Sequence, residues 1–194
     1  QEGFDAVPAL QDIRDEIAKA NAEYQVDLKN MIGPVSEWIA SAKKATTVNG
    51  IIPEPPVWPN HTLNHNQRPK GLYNAMVHPL VPFAIRGAIW YQGESNRQDG
   101  MLYYEKMKAL ITGWRTVWDI GDFPFLYVQL APYQYGEEDS TILPKAWEAQ
   151  TAALSIPNTG MAVTVDIGER YDIHPRNKIE VGHRLALWAL AKTY

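Results

Sequence analysis

The chain has 194 residues, no cysteine and a formal net charge of −4, with 45% hydrophobic and 21% charged residues. This length and balance predict a single globular domain with a substantial core. The lack of cysteine excludes disulfides, thiolate catalysis and cysteine-bound zinc, and the acidic balance argues against nucleic-acid binding. No stretch reaches the roughly 20 apolar residues of a transmembrane helix, so no membrane partner is expected.

The first 45 residues predict two helices. Apolar residues recur every three or four positions from Val7 to Ile32, which is the spacing of one face of a long amphipathic helix. Gly33-Pro34 is expected to end that helix, and Val35–Ala45 predicts a second, shorter one. Residues 46–70 are rich in Pro, Asn and His, which predicts a long irregular loop and a candidate lid.

Strand-like and helix-like segments alternate from residue 71 to the end of the chain. The predicted elements are strand 88–91, helix 101–118, strand 125–130, helix 143–154, strand 162–165 and helix 178–191. This alternation favours a parallel sheet with helices on both faces, so the predicted fold class is α/β. Three strands are fewer than the about five of a flavodoxin-like sheet, and the sheet is therefore expected to be incomplete.

A short apolar segment ends abruptly in polar residues in the run Gly87-Ala-Ile-Trp-Tyr-Gln-Gly-Glu-Ser-Asn96. The carboxyl ends of parallel strands are where binding sites of α/β proteins lie. Gly93 would let the backbone approach a substrate closely, because it has no side chain. An alternative is a strand-to-helix turn in which side chains such as Asn96 cap the next helix, but this leaves Gln92 and Glu94 unexplained.

A second polar run, Asp172-Ile-His-Pro-Arg-Asn-Lys178, lies just before the last predicted helix. His174 is the best candidate for a general base, because it lies in a polar loop with carboxylates nearby. Asp172 or Asp166 could orient its imidazole and stabilise its protonated form. A loop histidine that only packs is the alternative interpretation. Together the two runs indicate a hydrolase site.

The other histidines and Ser95 are weaker candidates. His61 and His65 are four residues apart, a metal-like spacing on a helix, but no helix is predicted there. No metal site and no cofactor are expected. His78 precedes a proline and His183 lies inside the last predicted helix, so both are interpreted as structural. Ser95 lacks the Gly-x-Ser-x-Gly turn of an esterase nucleophile.

The two runs and their neighbours resemble the sialate O-acetylesterases of the SGNH hydrolase superfamily. The resemblance extends from about Leu72 to the C-terminus, and it also rests on Leu72–Leu80, Phe125–Pro132, Trp147–Gln150 and Val181–Leu187. It implies a three-layer α/β/α, flavodoxin-like fold and a serine-esterase mechanism that removes O-acetyl groups from sialic acid. The substrate implied is an O-acetylated sialic acid or a related acetylated sugar.

The resemblance also implies roles for the second run. His174 would be the catalytic base, and Asp172 its orienting partner. The usual spacing of three residues between Asp and His would fall on Tyr171 here, so Asp166 stays open as the alternative.

In the first run, Gln92 and Gly93 would support the oxyanion or bind substrate. Glu94 and Asn96 would orient the site.

The nucleophile of this family lies in a Gly-Gln-Ser-Asn turn, which this chain lacks. We therefore expect the chain to be the C-terminal part of such an enzyme, inactive by itself, with the missing N-terminal half as a partner. The family implies a periplasmic or secreted location. Alternatives are an acetylxylan-type carbohydrate esterase and a non-catalytic carbohydrate-binding module.

Overall fold

A computed structural model describes residues 7–61, 71–81, 83–136 and 139–194. The chain groups into two compact units, which we describe separately. The helical unit contains the described residues between 12 and 80, and the sheet unit contains those between 7 and 11 and between 81 and 194. The expectation that the whole chain forms a single domain stays a prediction.

Two consecutive helices form most of the helical unit: α1 spans Gln11–Asn30 and α2 spans Ile32–Thr47. The first helix ends just before Met31, which separates it from the second helix. The predicted end of the first helix at Gly33-Pro34 is therefore wrong by two residues. Pro34 is accommodated because it lies in the first turn of α2, where backbone N–H groups have no acceptor within the helix. The predicted second helix is confirmed, although it begins earlier and ends later than expected.

The segment after α2 runs back along the same two helices. Trp38 of α2 donates its indole N–H to the Pro53 carbonyl (2.7 Å), and His61 is hydrogen-bonded to Asn21 of α1 (3.0 Å). Residues 50–61 contain no regular structure, which confirms the irregular loop over that range. His65 and the rest of the expected lid, residues 62–70, lie outside the described residues, and the lid stays a prediction.

The helical unit ends in two short turns. Tyr73–Val77 forms a π-helical turn and His78–Leu80 a 3-10 turn.

Three parallel strands form the sheet: β1 (Ala88–Trp90), β2 (Phe125–Val128) and β3 (Thr159–Ala162), with β2 in the centre. The register places Ala88 beside Phe125, and Phe125 beside Thr159. The prediction that the three strands lie parallel and adjacent is confirmed.

The third strand begins and ends three residues before its predicted position. Gly160 hides it in the sequence, because glycine is unfavourable in strands. In the structure the ring of Trp188 fills the missing side-chain space, where a Cβ would lie 2.6 Å from the ring. The pairing with β2 ends at Ala162, and Val163 and Val165 of the predicted strand are 40% and 46% exposed.

Helices cover both faces of the sheet. On one face, α3 (Leu102–Trp118) and α4 (Ile142–Ala152) pack against Phe125 and Tyr127. On the other face, α5 (Lys178–Thr193) packs against Leu126 and Val128. Alternate residues of a strand point to opposite faces, so β2 is buried on both sides. The predicted α/β class with three layers is confirmed.

One face of the edge strand lies outside these layers. Ile89 of β1 is 68% exposed, although its neighbour on β2, Leu126, is buried. In the part of the chain that the structure describes, no helix has both the length and the apolar character that a membrane crossing requires.

Candidate active site

The carboxyl ends of all three strands lie at one edge of the sheet, and a loop follows each strand. The loop after β1 begins with Tyr91, and the loop after β3 leads to Lys178 at the start of α5. Lys178 Nζ donates to the Tyr91 hydroxyl (3.0 Å) and lies 4.4 Å from the centre of its ring. This contact joins the loops that carry the two predicted groups of site residues.

Gly93 is buried in the turn directly after β1. Its φ of 152° belongs to the region that side chains rarely adopt. A Cβ at this position would lie 2.7 Å from the Tyr103 hydroxyl and 3.2 Å from Leu130 Cδ2. Both the backbone conformation and the close approach of Tyr103 therefore require glycine here.

The peptide group between Gln92 and Gly93 has a partner on each side. Tyr103, which is 4% exposed, donates its hydroxyl proton to the Gln92 carbonyl (2.9 Å). The Gly93 N–H donates to Glu94 Oε2 (3.1 Å). Burial, together with the charge of Glu94, raises the pKa of Tyr103 to about 12, so this hydroxyl keeps its proton at physiological pH. The predicted oxyanion donor thus already binds a carboxylate oxygen.

Polar side chains on both sides of Gly93 are connected by hydrogen bonds along the turn. Gln92 Nε2 donates to Asn96 Oδ1 (3.4 Å), and Asn96 Nδ2 donates to Asp99 Oδ2 (2.8 Å). Lys106 of α3 neutralises Asp99 through an ion pair of 2.7 Å. Met101, which precedes α3, makes no side-chain capping hydrogen bond, and the bonds of the Asn96 side chain go to Gln92 and Asp99, so this side chain does not act as the helix cap of the alternative interpretation. The Gln92 amide remains exposed at the edge of the sheet.

Two buried glutamines fix the end of β2. Gln150 of α4 accepts from the Leu130 N–H (2.9 Å) and donates to the Val128 carbonyl (3.2 Å). Its side-chain amide thus provides hydrogen bonds to backbone groups at and just after the end of β2, beyond the last residue that pairs with β1. Gln129 accepts two hydrogen bonds from Thr164, at its side chain (3.3 Å) and at its carbonyl (3.0 Å). These hydrogen bonds hold in place the residues at which the loops after β2 and β3 begin. The sequence carries no signal of this role for Gln150, because the amide of a helical glutamine does not reveal what it contacts.

His174 lies in the loop after β3, and its side chain is exposed. Its backbone N–H donates to Asp172 Oδ1 (2.9 Å), which closes a two-residue turn. Glu169 fastens the same loop by accepting from the Arg176 N–H (2.9 Å). Among the described residues the imidazole has no hydrogen bond or ion pair, so Asp172 contacts the backbone of His174 and not its ring.

Asp166 has a different partner. Arg184 of α5 forms two hydrogen bonds with its carboxylate (2.6 and 2.7 Å) and a third with Glu180 (2.9 Å). The guanidinium lowers the pKa of Asp166 to about 2. Arg184 also donates to the Val163 carbonyl (2.7 Å), so this cluster fastens α5 to the end of β3.

The other histidines contact residues that are not among the predicted site residues. His183 lies 3.3 Å from Glu180, and His78 packs edge-on against Tyr73. Within the described ranges, no group of three or more His, Asp or Glu side chains is arranged to hold a metal ion.

Aromatic and cationic side chains line the loops at the same edge. Arg97 lies 4.3 Å from the ring centre of Tyr135, which packs edge-on against Tyr133. Arg170 donates to Gln134 Oε1 (2.9 Å) and so connects the loops after β2 and β3. Tyrosine faces and guanidinium groups suit the apolar faces and hydroxyls of sugar rings.

Known proteins are similar to this chain in sequence. Residues 16–191 match the family model described as "Carbohydrate esterase, sialic acid-specific acetylesterase". The chain belongs to this family. Sialate O-acetylesterases of Rattus norvegicus and Homo sapiens are each 38% identical to it in an alignment of 141 residues that covers 63% of this chain. The alignments cover 26% and 27% of those two proteins, so the chain spans about a quarter of their length.

A solved structure is also similar. The crystal structure of a carbohydrate acetylesterase from Xanthomonas citri superimposes with a TM-score of 0.64 and 46% sequence identity. The match covers 66% of this chain and 31% of that one. The family resemblance and the fold expected from it are therefore confirmed. The individual roles of the site residues stay predictions.

Proposed function

We propose that this chain is the part of a carbohydrate O-acetylesterase that supplies the general base and oxyanion donors, and that it acts on O-acetylated sialic acid. The observation that carries the proposal is the Tyr91–Lys178 contact, which joins the glycine turn after β1 to the histidine loop after β3 at one edge of the sheet. An esterase needs a general base beside the nucleophile and the leaving oxygen, and oxyanion donors around the carbonyl oxygen, within one site.

In this mechanism His174 removes the proton from a serine hydroxyl as the oxygen attacks the acetyl carbonyl. The Gly93 N–H and the Gln92 side-chain amide donate to the oxyanion, after Glu94 has released the Gly93 N–H. His174 then gives that proton to the ester oxygen of the sugar as the bond between this oxygen and the acetyl carbon breaks, so the sugar departs with a free hydroxyl and an acetyl-serine remains. A water molecule activated by His174 releases acetate and regenerates the serine.

The nucleophile belongs, in this proposal, to a segment of the parent protein outside these 194 residues. Ser95 is exposed and lies in a 3-10 turn. The uncovered face of β1 at Ile89 offers a place for such a segment, because a further strand or helix there would bury its side chain.

Asp172 is the better candidate to orient the imidazole. It already lies in the same turn as His174, and a side-chain rotation could exchange the backbone N–H for the ring N–H. Asp166 would first have to leave two hydrogen bonds with Arg184.

Acetylated plant polysaccharide is a second candidate substrate. The Xanthomonas citri protein, which is 46% identical to this chain, is described only as a carbohydrate acetylesterase, a description that is not limited to sialic acid. A periplasmic or secreted location forms part of the proposal, and cell fractionation would test it.

The decisive experiment compares this chain with a longer version that includes the upstream region of its gene. The 194-residue chain should hydrolyse p-nitrophenyl acetate poorly, whereas the longer protein should deacetylate O-acetylated sialic acid. His174→Ala should lower kcat of the longer protein by about 100-fold or more, the usual contribution of a general base. Asp172→Asn and Asp166→Asn, measured side by side, identify the orienting carboxylate.

Three outcomes would contradict parts of this proposal. Turnover by the short chain that disappears in Ser95→Ala would make Ser95 the nucleophile. Activity on acetylxylan but not on sialic acid would select the second substrate. Sugar binding without turnover in the longer protein would indicate a carbohydrate-binding module.

A further inference from the structure

Tyr103 contacts the site from the interior of the protein. It lies in the first turn of α3, and its ring belongs to the core between α3, α4 and the sheet. Its hydroxyl is the only polar atom of the side chain, and it donates to the Gln92 carbonyl at 2.9 Å. The contact thus joins the helical layer to the turn after β1.

A peptide group is planar, so fixing its carbonyl also fixes its N–H. In the trans arrangement the carbonyl and the N–H point in opposite directions. The Gln92 carbonyl points toward Tyr103 in the core, and the Gly93 N–H therefore points away from it. That N–H now donates to the Glu94 carboxylate, which shows that an anionic oxygen fits in front of it.

The surrounding atoms leave this peptide group little freedom. The space that a Cβ of Gly93 would occupy is filled by the Tyr103 hydroxyl, at 2.7 Å. Without that hydroxyl the glycine could rotate, because glycine tolerates many backbone conformations. Removing the Tyr103 hydroxyl would therefore release the Gly93 N–H from its present direction.

We propose that Tyr103 is a positioning residue, which holds the peptide group between Gln92 and Gly93 so that the Gly93 N–H faces the developing oxyanion of the acetyl ester. The catalytic significance rests on the esterase function proposed above, whereas the orientation of the peptide group does not.

The orientation can be measured in the 194-residue chain. The sequence contains a single Gln-Gly pair, Gln92-Gly93, so labelling glutamine with 13C at the carbonyl and glycine with 15N isolates one amide resonance. In the wild-type background we expect Glu94→Gln to shift this amide proton, because the N–H donates to the Glu94 carboxylate. In the Tyr103→Phe background the amplitude of the shift caused by Glu94→Gln should fall by at least half.

Tyr127→Phe is the matched control. Tyr127 lies in the same core and donates its hydroxyl to the Gln150 carbonyl (2.7 Å), but it does not contact the Gln92–Gly93 peptide group. This variant should retain the full amplitude. An undiminished effect of Glu94→Gln on the amide proton in folded Tyr103→Phe, or an equal loss of that effect in Tyr127→Phe, would overturn the proposal.

A second variant keeps the proposal falsifiable if Tyr103→Phe does not fold. In Glu94→Gln the heteronuclear NOE of the Gly93 amide should stay that of ordered backbone, because Tyr103 still holds the Gln92 carbonyl. A mobile Gly93 amide in this variant would mean that Glu94 holds the turn and that Tyr103 does not.

The catalytic consequence is measured in the longer protein of the preceding section. Tyr103→Phe should lower kcat about 10-fold or more and leave KM within about twofold, because a misdirected donor weakens binding of the transition state only. Unchanged kcat, together with a diminished amide shift, would overturn the catalytic role. Inactivity of the wild-type longer protein would instead reject the proposed function and leave the spectroscopic result standing.

Discussion

The loops after β1 and β3 lie at the same edge of one sheet but are built differently. The loop after β1 is fixed from the core: Gly93 is buried, and Tyr103 contacts its backbone. The loop after β3 is exposed at His174, and Asp172 and Glu169 fasten it through its own backbone N–H groups. A fixed oxyanion donor requires little reorganisation during reaction, whereas a base that transfers protons in both directions needs freedom to move. The comparison predicts that substitutions after β1 change stability more than substitutions after β3.

The largest loss of stability is expected for Gly93→Ala. The added methyl group would lie 2.7 Å from the Tyr103 hydroxyl, and φ of 152° strains any side chain. Backbone strain and overpacking together should lower the free energy of unfolding by about 3 kcal/mol. Urea denaturation would measure the change.

Gly121→Ala is the control for this prediction. Gly121 also has a positive φ, 80°, but nothing lies within 4 Å of the added carbon. Its cost should be about 1 kcal/mol, from backbone strain alone. Equal losses in the two variants would mean that the Tyr103 contact does not constrain Gly93.

A smaller loss is expected for Thr164→Val, at the origin of the loop after β3. Its buried hydroxyl donates to the Gln129 carbonyl (3.0 Å), and valine has nearly the same shape. The variant should lose about 1 kcal/mol of unfolding free energy, measured by urea denaturation. Thr151→Val removes an exposed hydroxyl bonded to the Trp147 carbonyl and should change stability much less. An equal loss of unfolding free energy in the two variants would mean that the buried Thr164–Gln129 hydrogen bond contributes no more than an exposed one.

Asp172→Ala should change stability by less than about 0.5 kcal/mol, because its hydrogen bond lies in an exposed loop. Activity of the longer protein should nevertheless fall by at least about 100-fold if Asp172 orients the base. Asp139→Ala removes a similar turn, in which Asp139 accepts from the Thr141 N–H (2.9 Å), and should leave activity unchanged. Loss of folding in Asp172→Ala, seen by thermal denaturation, would show that the loop is not independent of the core.

The smallest effect concerns pH. Arg184 lowers the pKa of Asp166 to about 2, below the ordinary value near 4, so this pair stabilises the folded chain fully above pH 4. The contribution should be lost as the pH falls through the range from 4 to 2. Arg184→Met should flatten that part of the pH profile of the urea midpoint. An identical acid-side profile in both proteins would show that the pair contributes nothing.

The sequence alone determined the class of the fold and the order of its elements. Helices α3 and α5 appeared within a few residues of their observed bounds because their apolar faces repeat with the helical period. The two polar runs were also recognisable, since polar side chains directly after a buried strand are unusual. The error at β3 has a tertiary cause, because Gly160 becomes part of a strand only when Trp188 fills its place.

Only the tertiary structure decided which groups contact each other at the site. Asp172 and Asp166 were both candidate partners of His174, because both lie close to it in the sequence. Packing places Arg184, eighteen residues beyond Asp166, against the Asp166 carboxylate. The hydroxyl of Tyr103 likewise reaches the Gln92 carbonyl only because α3 folds back over the sheet. Periodicity encodes which face of an element is buried, since burial depends on local spacing. The partners of a side chain depend on how distant elements pack against each other, and the spacing of residues within one element does not encode that packing.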